Sequence, residues 1–142
     1  MIGVTVDTNV YIYALVFNGL PLRVLAAARQ GLIRLDISGP LLEEINRVLR
    51  DKFLWSDDML QGTAAQLSRF TSLVHPTEII DAVPEDPDDN RVLECAVSAG
   101  SRFVVTGDAA LLRLGSYRGI RILKVADFLA LLQETSSTGR YC

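Results

Sequence analysis

The sequence predicts an α/β domain built on a mostly parallel sheet. Short apolar runs alternate along the whole chain with longer stretches of helical periodicity, the pattern of βαβ units rather than of hairpins. Helix-start residues such as Pro21 and Ser56 and stop residues such as Gly31 punctuate the helical stretches. No internal repeat, low-complexity tract or linker interrupts them, so the 142 residues read as one domain, long enough to bury a core.

Residues 2–6 (IGVTV) form a short buried strand, followed by helices at 9–17 and 21–30, the second opened by Pro21 and closed by Gly31. In IRLDIS (33–38), Ile33, Leu35 and Ile37 alternate as a second strand. A helix follows from about 40 to 54, again with proline near its start, and another spans 56–74, capped by Ser56 and weakened at Gly62. HPTEII (75–80) reads as a third strand. An acidic, proline-interrupted loop leads to a helix at 89–99 and the strand FVVT (103–106). DAALLRL is a short helix, IRILK (120–124) the last strand and VADFLALLQE (125–134) the closing helix. The domain thus spans 1–134, and 135–142 is a polar tail.

Composition narrows the function classes. With 49% hydrophobic and 22% charged residues the chain is of the soluble globular type. No apolar run reaches the roughly 18 residues of a membrane span. The N-terminus lacks a basic n-region and cleavage site, so a cytoplasmic location is expected. Two cysteines, Cys95 in a helix and Cys142 at the end, do not make a disulfide framework. A net charge of −3 argues against general adhesion to nucleic acid or anionic membrane. The acidity is partly local, because Asp81, Glu85, Asp86, Asp88 and Asp89 crowd together with no base among them. Twelve of the fourteen basic residues are arginine, the side chain best matched to phosphate.

In an open α/β sheet, ligands bind beyond the carboxyl ends of the strands. Asp7 ends the first strand, and Asp108 follows FVVT after Thr106 and Gly107, so both acids belong to that edge. Helix geometry adds two more. In GPLLEEINRVLRDKF, Leu41, Leu42, Ile45, Val48 and Leu49 make an apolar stripe; Glu43 lies about 160° from its centre and Glu44 about 100°, at the border. In DDNRVLECAVSAG, Asp89 lies close to the apolar stripe at the first turn, Asp88 near its edge, and Arg91 and Glu94 point outward. A cap role complementing the helix dipole is the plainer reading of Asp88 or Asp89.

Two carboxylates about 4 Å apart repel by roughly 4 kcal/mol at an effective dielectric near 20. A site gathering Asp7, Glu44, Asp89 and Asp108 therefore needs a neutralising charge. The only histidine is His75, and no lysine follows the key strands closely. A divalent cation supplies the charge, and all-oxygen ligation favours Mg²⁺ or Mn²⁺ over Zn²⁺. His75 and Cys95 read as structural residues.

DTNVYIYAL, then LLEEINRVL, then DPDDNRVLECAVSAGSRFVVTGDAALL, together with the ending YRGIRILKVADFLALL, resemble the PIN domain across nearly the whole chain. More narrowly they resemble its bacterial and archaeal toxin branch, the VapC-like ribonucleases of toxin–antitoxin pairs. The resemblance implies a three-layer α/β/α sandwich with a mainly parallel, about five-stranded sheet and a Mg²⁺- or Mn²⁺-dependent endoribonuclease site. It places the family's acids on Asp7, Glu44, Asp89 and Asp108, as catalytic residues and metal ligands, with Asn9 and Thr106 in support. Asp86 and Asp88 are left without a role. It implies RNA as substrate, cleavage leaving a 5′-phosphate and a 3′-hydroxyl, a cognate antitoxin, and a homodimer for which helices 9–30 and 56–74 are the contact surfaces.

Rival readings fare less well. A haloacid-type phosphatase needs a second acid two positions after the first, where Asn9 stands, and a receiver domain needs paired early acids and a lysine after the last strand. Inside the family, the alternatives are a housekeeping RNA-processing nuclease and a binding module that holds metal without catalysis.

Overall fold

A run without charge and rich in β-branched residues, GVTV, suits the middle of a sheet covered on both faces, and β1 (Gly3–Val6) is buried along its whole length. The structure, a computed structural model, describes residues 1–137. β1 pairs in parallel with β2 (Arg34–Ser38) on one side and β4 (Phe103–Val105) on the other. β3 (Thr71–Val74) adds in parallel beyond β2, and β6 (Ile120–Leu123) beyond β4. The two-residue β5 (Ser116–Tyr117) lies antiparallel on β6, giving the order β3-β2-β1-β4-β6-β5. The mainly parallel sheet is as expected, with a sixth, very short strand at one edge.

Seven helices connect and cover the strands: α1 (Thr8–Phe17), α2 (Gly19–Arg29), α3 (Gly39–Asp51), α4 (Asp57–Phe70), α5 (Pro87–Ala99), α6 (Ala109–Leu114) and α7 (Val125–Ser137). Side chains alternate across a pleated sheet, which sorts the layers. Thr5 reaches Cys95 of α5, so the opposite face of the sheet belongs to Val4, Val6 and their neighbour Phe103. On that face Phe103 meets the fully buried Phe128 of α7, ring centroids 5.7 Å apart. Helices therefore lie on both faces, making three layers. No single described helix is long and apolar enough to cross a membrane. α1 and α2 turn through 102° at their junction, where Asn18 and Gly19 both have positive φ, 66° and 67°.

On the α5 side the sheet buries a polar network. Asp36, with no exposed surface, takes two hydrogen bonds from the Arg34 guanidinium at 2.7 and 3.1 Å and a third from the Ser101 hydroxyl at 2.7 Å. Arg34 also donates to the Ala99 carbonyl at 2.9 Å, tying β2 to the end of α5. Gly3 leaves room for it, because a Cβ there would collide with the guanidinium and push Arg34 out of this position.

Three expectations are corrected. The third strand is Thr71–Val74, not 75–80, and α4 stops at Phe70. The Thr71 hydroxyl donates to the Leu67 carbonyl at 2.7 Å as the helix ends, and Pro76, lacking an N–H, suits the loop rather than the sheet. Glu94, expected to point outward, is buried: it accepts from Ile80 N–H at 2.9 Å and pairs with Arg91 through two bonds of 2.7 and 2.8 Å. The physical reason is the chain at 75–86, which folds back over α5 and buries Ile80 and Val83. β5 was not expected at all; Arg118 and Gly119, with φ of 48° and 82°, make the tight turn that pairs it with β6. Of the polar tail, residues 138–142, Cys142 among them, lie outside the described residues.

Candidate active site

The strand order reverses at β1. The chain runs from β1 outward through β2 to β3, then crosses to β4 on the other side of β1. A crevice opens where adjacent parallel strands send their connections in opposite directions, and it is the usual ligand site of open α/β sheets. Asp7 follows β1 directly, its N–H bonded to the Val105 carbonyl at 2.9 Å, while Thr106, Gly107 and Asp108 follow β4. Both acids therefore stand on this crevice.

Asp7 caps α1, accepting from Asn9 N–H at 3.3 Å, and is 4% exposed. The Thr106 hydroxyl donates to its other oxygen at 2.7 Å and itself accepts from Asp108 N–H at 2.9 Å. One fully buried threonine thus sets the position of both strand-end acids. Burial raises the Asp7 carboxyl above its ordinary value; the Thr106 hydrogen bond works against that and the Asp108 charge with it. Asp108 caps α6 through Leu111 N–H at 3.0 Å.

Asp89 arrives from the first turn of α5, 4% exposed, and its Oδ2 is buried with no hydrogen-bond partner among the described residues. Burial first, then the neighbouring Asp108, with Asp86 and Asp7 adding repulsion, pushes its carboxyl up to about 8. Asp108 is correspondingly held low by a hydrogen bond with Asp89. Proximity thus moves the two carboxyls in opposite directions, Asp89 up and Asp108 down. Asp86, the N-cap of α5, completes a trio with Asp89 and Asp108 in which one oxygen from each lies within 4.8 Å of the others.

Glu44 stands to one flank. The Thr8 hydroxyl donates to it at 3.2 Å and also approaches Asp7 at 3.4 Å, linking the flank to the centre. Its nearest basic group is Arg47, at 3.7 Å. Burial, then the charge of Asp88, raises its carboxyl. Glu43, one residue earlier, is exposed. The structure thus gathers Asp89 and Asp108 with Asp86, ties Asp7 to Asp108 through Thr106, and brings Glu44 in through Thr8, with Asp88 as its acidic neighbour. Asn9 is exposed at the rim, and its backbone N–H rather than its side chain donates to Asp7. His75 is exposed and Cys95 buried, its thiol pushed up to about 11 by burial.

Three further residues contribute. Asp86, named in DPDD without a role, joins Asp89 from the N-cap position of α5. Thr8 was visible only as the residue after the first acid. Asn90 holds both the N–H and the carbonyl of Val83 at 2.8 Å, anchoring the loop that delivers Asp86.

The arrangement suits a divalent cation. Three aspartates converge with Asp7 as an acidic neighbour, one buried oxygen lacks a partner, and no ion pair reaches Asp7, Asp86, Asp89 or Asp108 among the described residues. The donors are all hard oxygens, the set that hard cations select.

The family model described as PIN domain matches residues 3–110, from β1 into α6, a span that contains every acid named above. Among solved structures the fold is similar to the crystal structure of VapBC2 from Rickettsia felis bound to a DNA fragment from its promoter. The TM-score is 0.61 at 12% identity, covering 87% of this chain and 98% of that one. No curated protein sequence matches significantly.

Proposed function

The chain belongs to the PIN domain family, and from that membership we propose that it is a Mg²⁺- or Mn²⁺-dependent endoribonuclease, the toxin of a toxin–antitoxin pair. The observation that carries the reading is the buried Asp89 beside Asp86 and Asp108, one of its oxygens without a hydrogen-bond partner among the described residues. Asp7, Glu44, Asp89 and Asp108 are proposed as the catalytic acids and ligands, with Asp86 as a further donor. A bound cation would supply an activated water and neutralise charge on the scissile phosphate.

The chain's own residues prepare that chemistry. Thr106 holds Asp7 by a 2.7 Å bond that favours its ionised form. Thr8 orients Glu44 toward the same crevice. A cation held there would compete with the proton that Asp89 keeps up to about pH 8, so cation affinity is expected to rise with pH. The VapBC complex among the structural neighbours supports an antitoxin partner, and a homodimer through the helices over 9–30 and 56–74 is proposed with it.

Purified protein with Mn²⁺ is expected to cleave single-stranded RNA, to stop on addition of EDTA, and to leave 5′-phosphate ends. Expressed alone it is expected to arrest growth, and Asp108→Asn to relieve the arrest. A cellular RNA pool left intact by protein and Mn²⁺ contradicts the nuclease reading. A gene neighbourhood without a small DNA-binding partner contradicts the toxin reading only.

A further inference from the structure

Beside the carboxylate cluster lies a second feature, a pocket of about 330 Å³ lined by Asn9, Val10, Tyr13, Gly107, Asp108 and Ala109. It borders the acids on one side and the outer face of α1 on the other. Asn9, Tyr13 and Phe17 recur every fourth residue, so they form one stripe of that helix, and all three are exposed. Val10, Tyr11 and Ala14 already supply α1 with its core face. Packing therefore does not account for two aromatic rings left 58% and 59% in water.

The rings are ordered with respect to one another. Tyr13 and Phe17 have centroids 5.7 Å apart at 40°, and Phe17 meets Phe53 edge-on at 6.0 Å and 77°. Phe53 thus steadies Phe17, and Phe17 backs Tyr13. On the opposite wall Gly107 faces open space, with nothing within 4 Å of where a Cβ would stand. A supported aromatic ring, an open wall and an acid of the cluster share one pocket. Unpaired bases are held by stacking on such rings, and the contact tolerates any base because each has a π-face.

We propose that Tyr13 is the stacking platform for an unpaired base next to the phosphate that is cleaved, which directs the enzyme to single strands and loops. This inference rests on the nuclease reading above. Duplex RNA does not present a free base face to the ring, so the same residue excludes it. Tyr13 is a positioning residue, since it touches a base and not the reacting atoms.

The test compares two probes of equal length, an oligouridylate and a ribose-phosphate oligomer without bases. Each is labelled and titrated by anisotropy in Ca²⁺ against wild type, Tyr13→Ala, Tyr13→Leu and Tyr13→Trp. Tyr13→Ala and Tyr13→Leu are expected to bind oligouridylate about 5- to 150-fold more weakly, the range alanine substitution gives for base stacking. Tyr13→Trp is expected to bind like wild type, and none of the variants to change affinity for the abasic oligomer. Equal oligouridylate binding by wild type and Tyr13→Ala overturns the platform and leaves the nuclease reading standing. Failure of wild type to bind either probe overturns both. A Tyr13→Ala protein that loses its oligomeric state in sedimentation while keeping its RNA affinity shows a protein contact instead, and also overturns the proposal.

Discussion

Replacing Asp89 by asparagine removes one charge from the carboxylate cluster and keeps the side chain's shape. The oxygens of Asp86, Asp89 and Asp108 lie within 4.8 Å of one another. At about 5 Å and an effective dielectric near 20, each pair of full charges repels by about 3 kcal/mol. Asp89 responds by keeping its proton up to about pH 8. A carboxyl raised in the folded state contributes stability that is complete below its unfolded value, about 4, and is lost as pH rises through about 8. Asp7 and Glu44 are also raised and add with the same sign. Asp108, lowered, loses its contribution only at acid pH, outside this window.

Metal-free wild type should therefore lose on the order of 3 kcal/mol between about pH 5 and pH 8, roughly 10 °C in Tm for a domain of this size. Asp89→Asn should be the more stable protein at pH 8 and show a much flatter profile. Circular dichroism melts in EDTA across the range read this directly. Mn²⁺ at about 100 times its Kd should return about 2.7 kcal/mol to wild type at pH 8 and little to the mutant. A flat wild-type profile, or a mutant destabilised at pH 8, refutes the reasoning.

Glu44→Gln should lower kcat on single-stranded RNA by at least about tenfold while Glu43→Gln changes it less than about twofold, the scale of one lost transition-state contact; equal losses would contradict the helix geometry. Thr106→Val removes the 2.7 Å bond to Asp7 and the acceptor for Asp108 N–H. It should cost about 1–3 kcal/mol in urea unfolding and raise the Mn²⁺ concentration needed for half-maximal activity; an unchanged Mn²⁺ requirement would remove Thr106 from the site. Arg34→Met strands the fully buried Asp36 carboxylate on the Ser101 hydroxyl alone and should destabilise the protein by about 3 kcal/mol. A loss below about 1 kcal/mol would show that Ser101 and its neighbours suffice.

Local pattern carried much of the fold. GVTV and FVVT announce buried parallel strands because neither contains a charge, and the acids that follow them had to lie at one sheet edge. The border position of Glu44 followed from 100° per residue alone. What stayed illegible depends on chain distant in sequence. Glu94 looks like a surface acid until the loop carrying Ile80 covers it, and Asp36 looks out of place until Ser101, 65 residues later, donates to it. β3 was misplaced because TSLV continues an apolar pattern that a helix also satisfies. Asp86 was hidden by its second role as a helix cap.

The central claim is that the aspartates at the β1–β4 crevice hold a divalent cation. Electron paramagnetic resonance of Mn²⁺ titrated into the protein at pH 8 measures it most directly, since only free ion gives the sharp signal. Wild type should deplete that signal at stoichiometric protein, and folded Asp7→Asn and Asp89→Asn should leave it near the level of buffer alone. Depletion by all three to the same extent, or by none of them, contradicts the account.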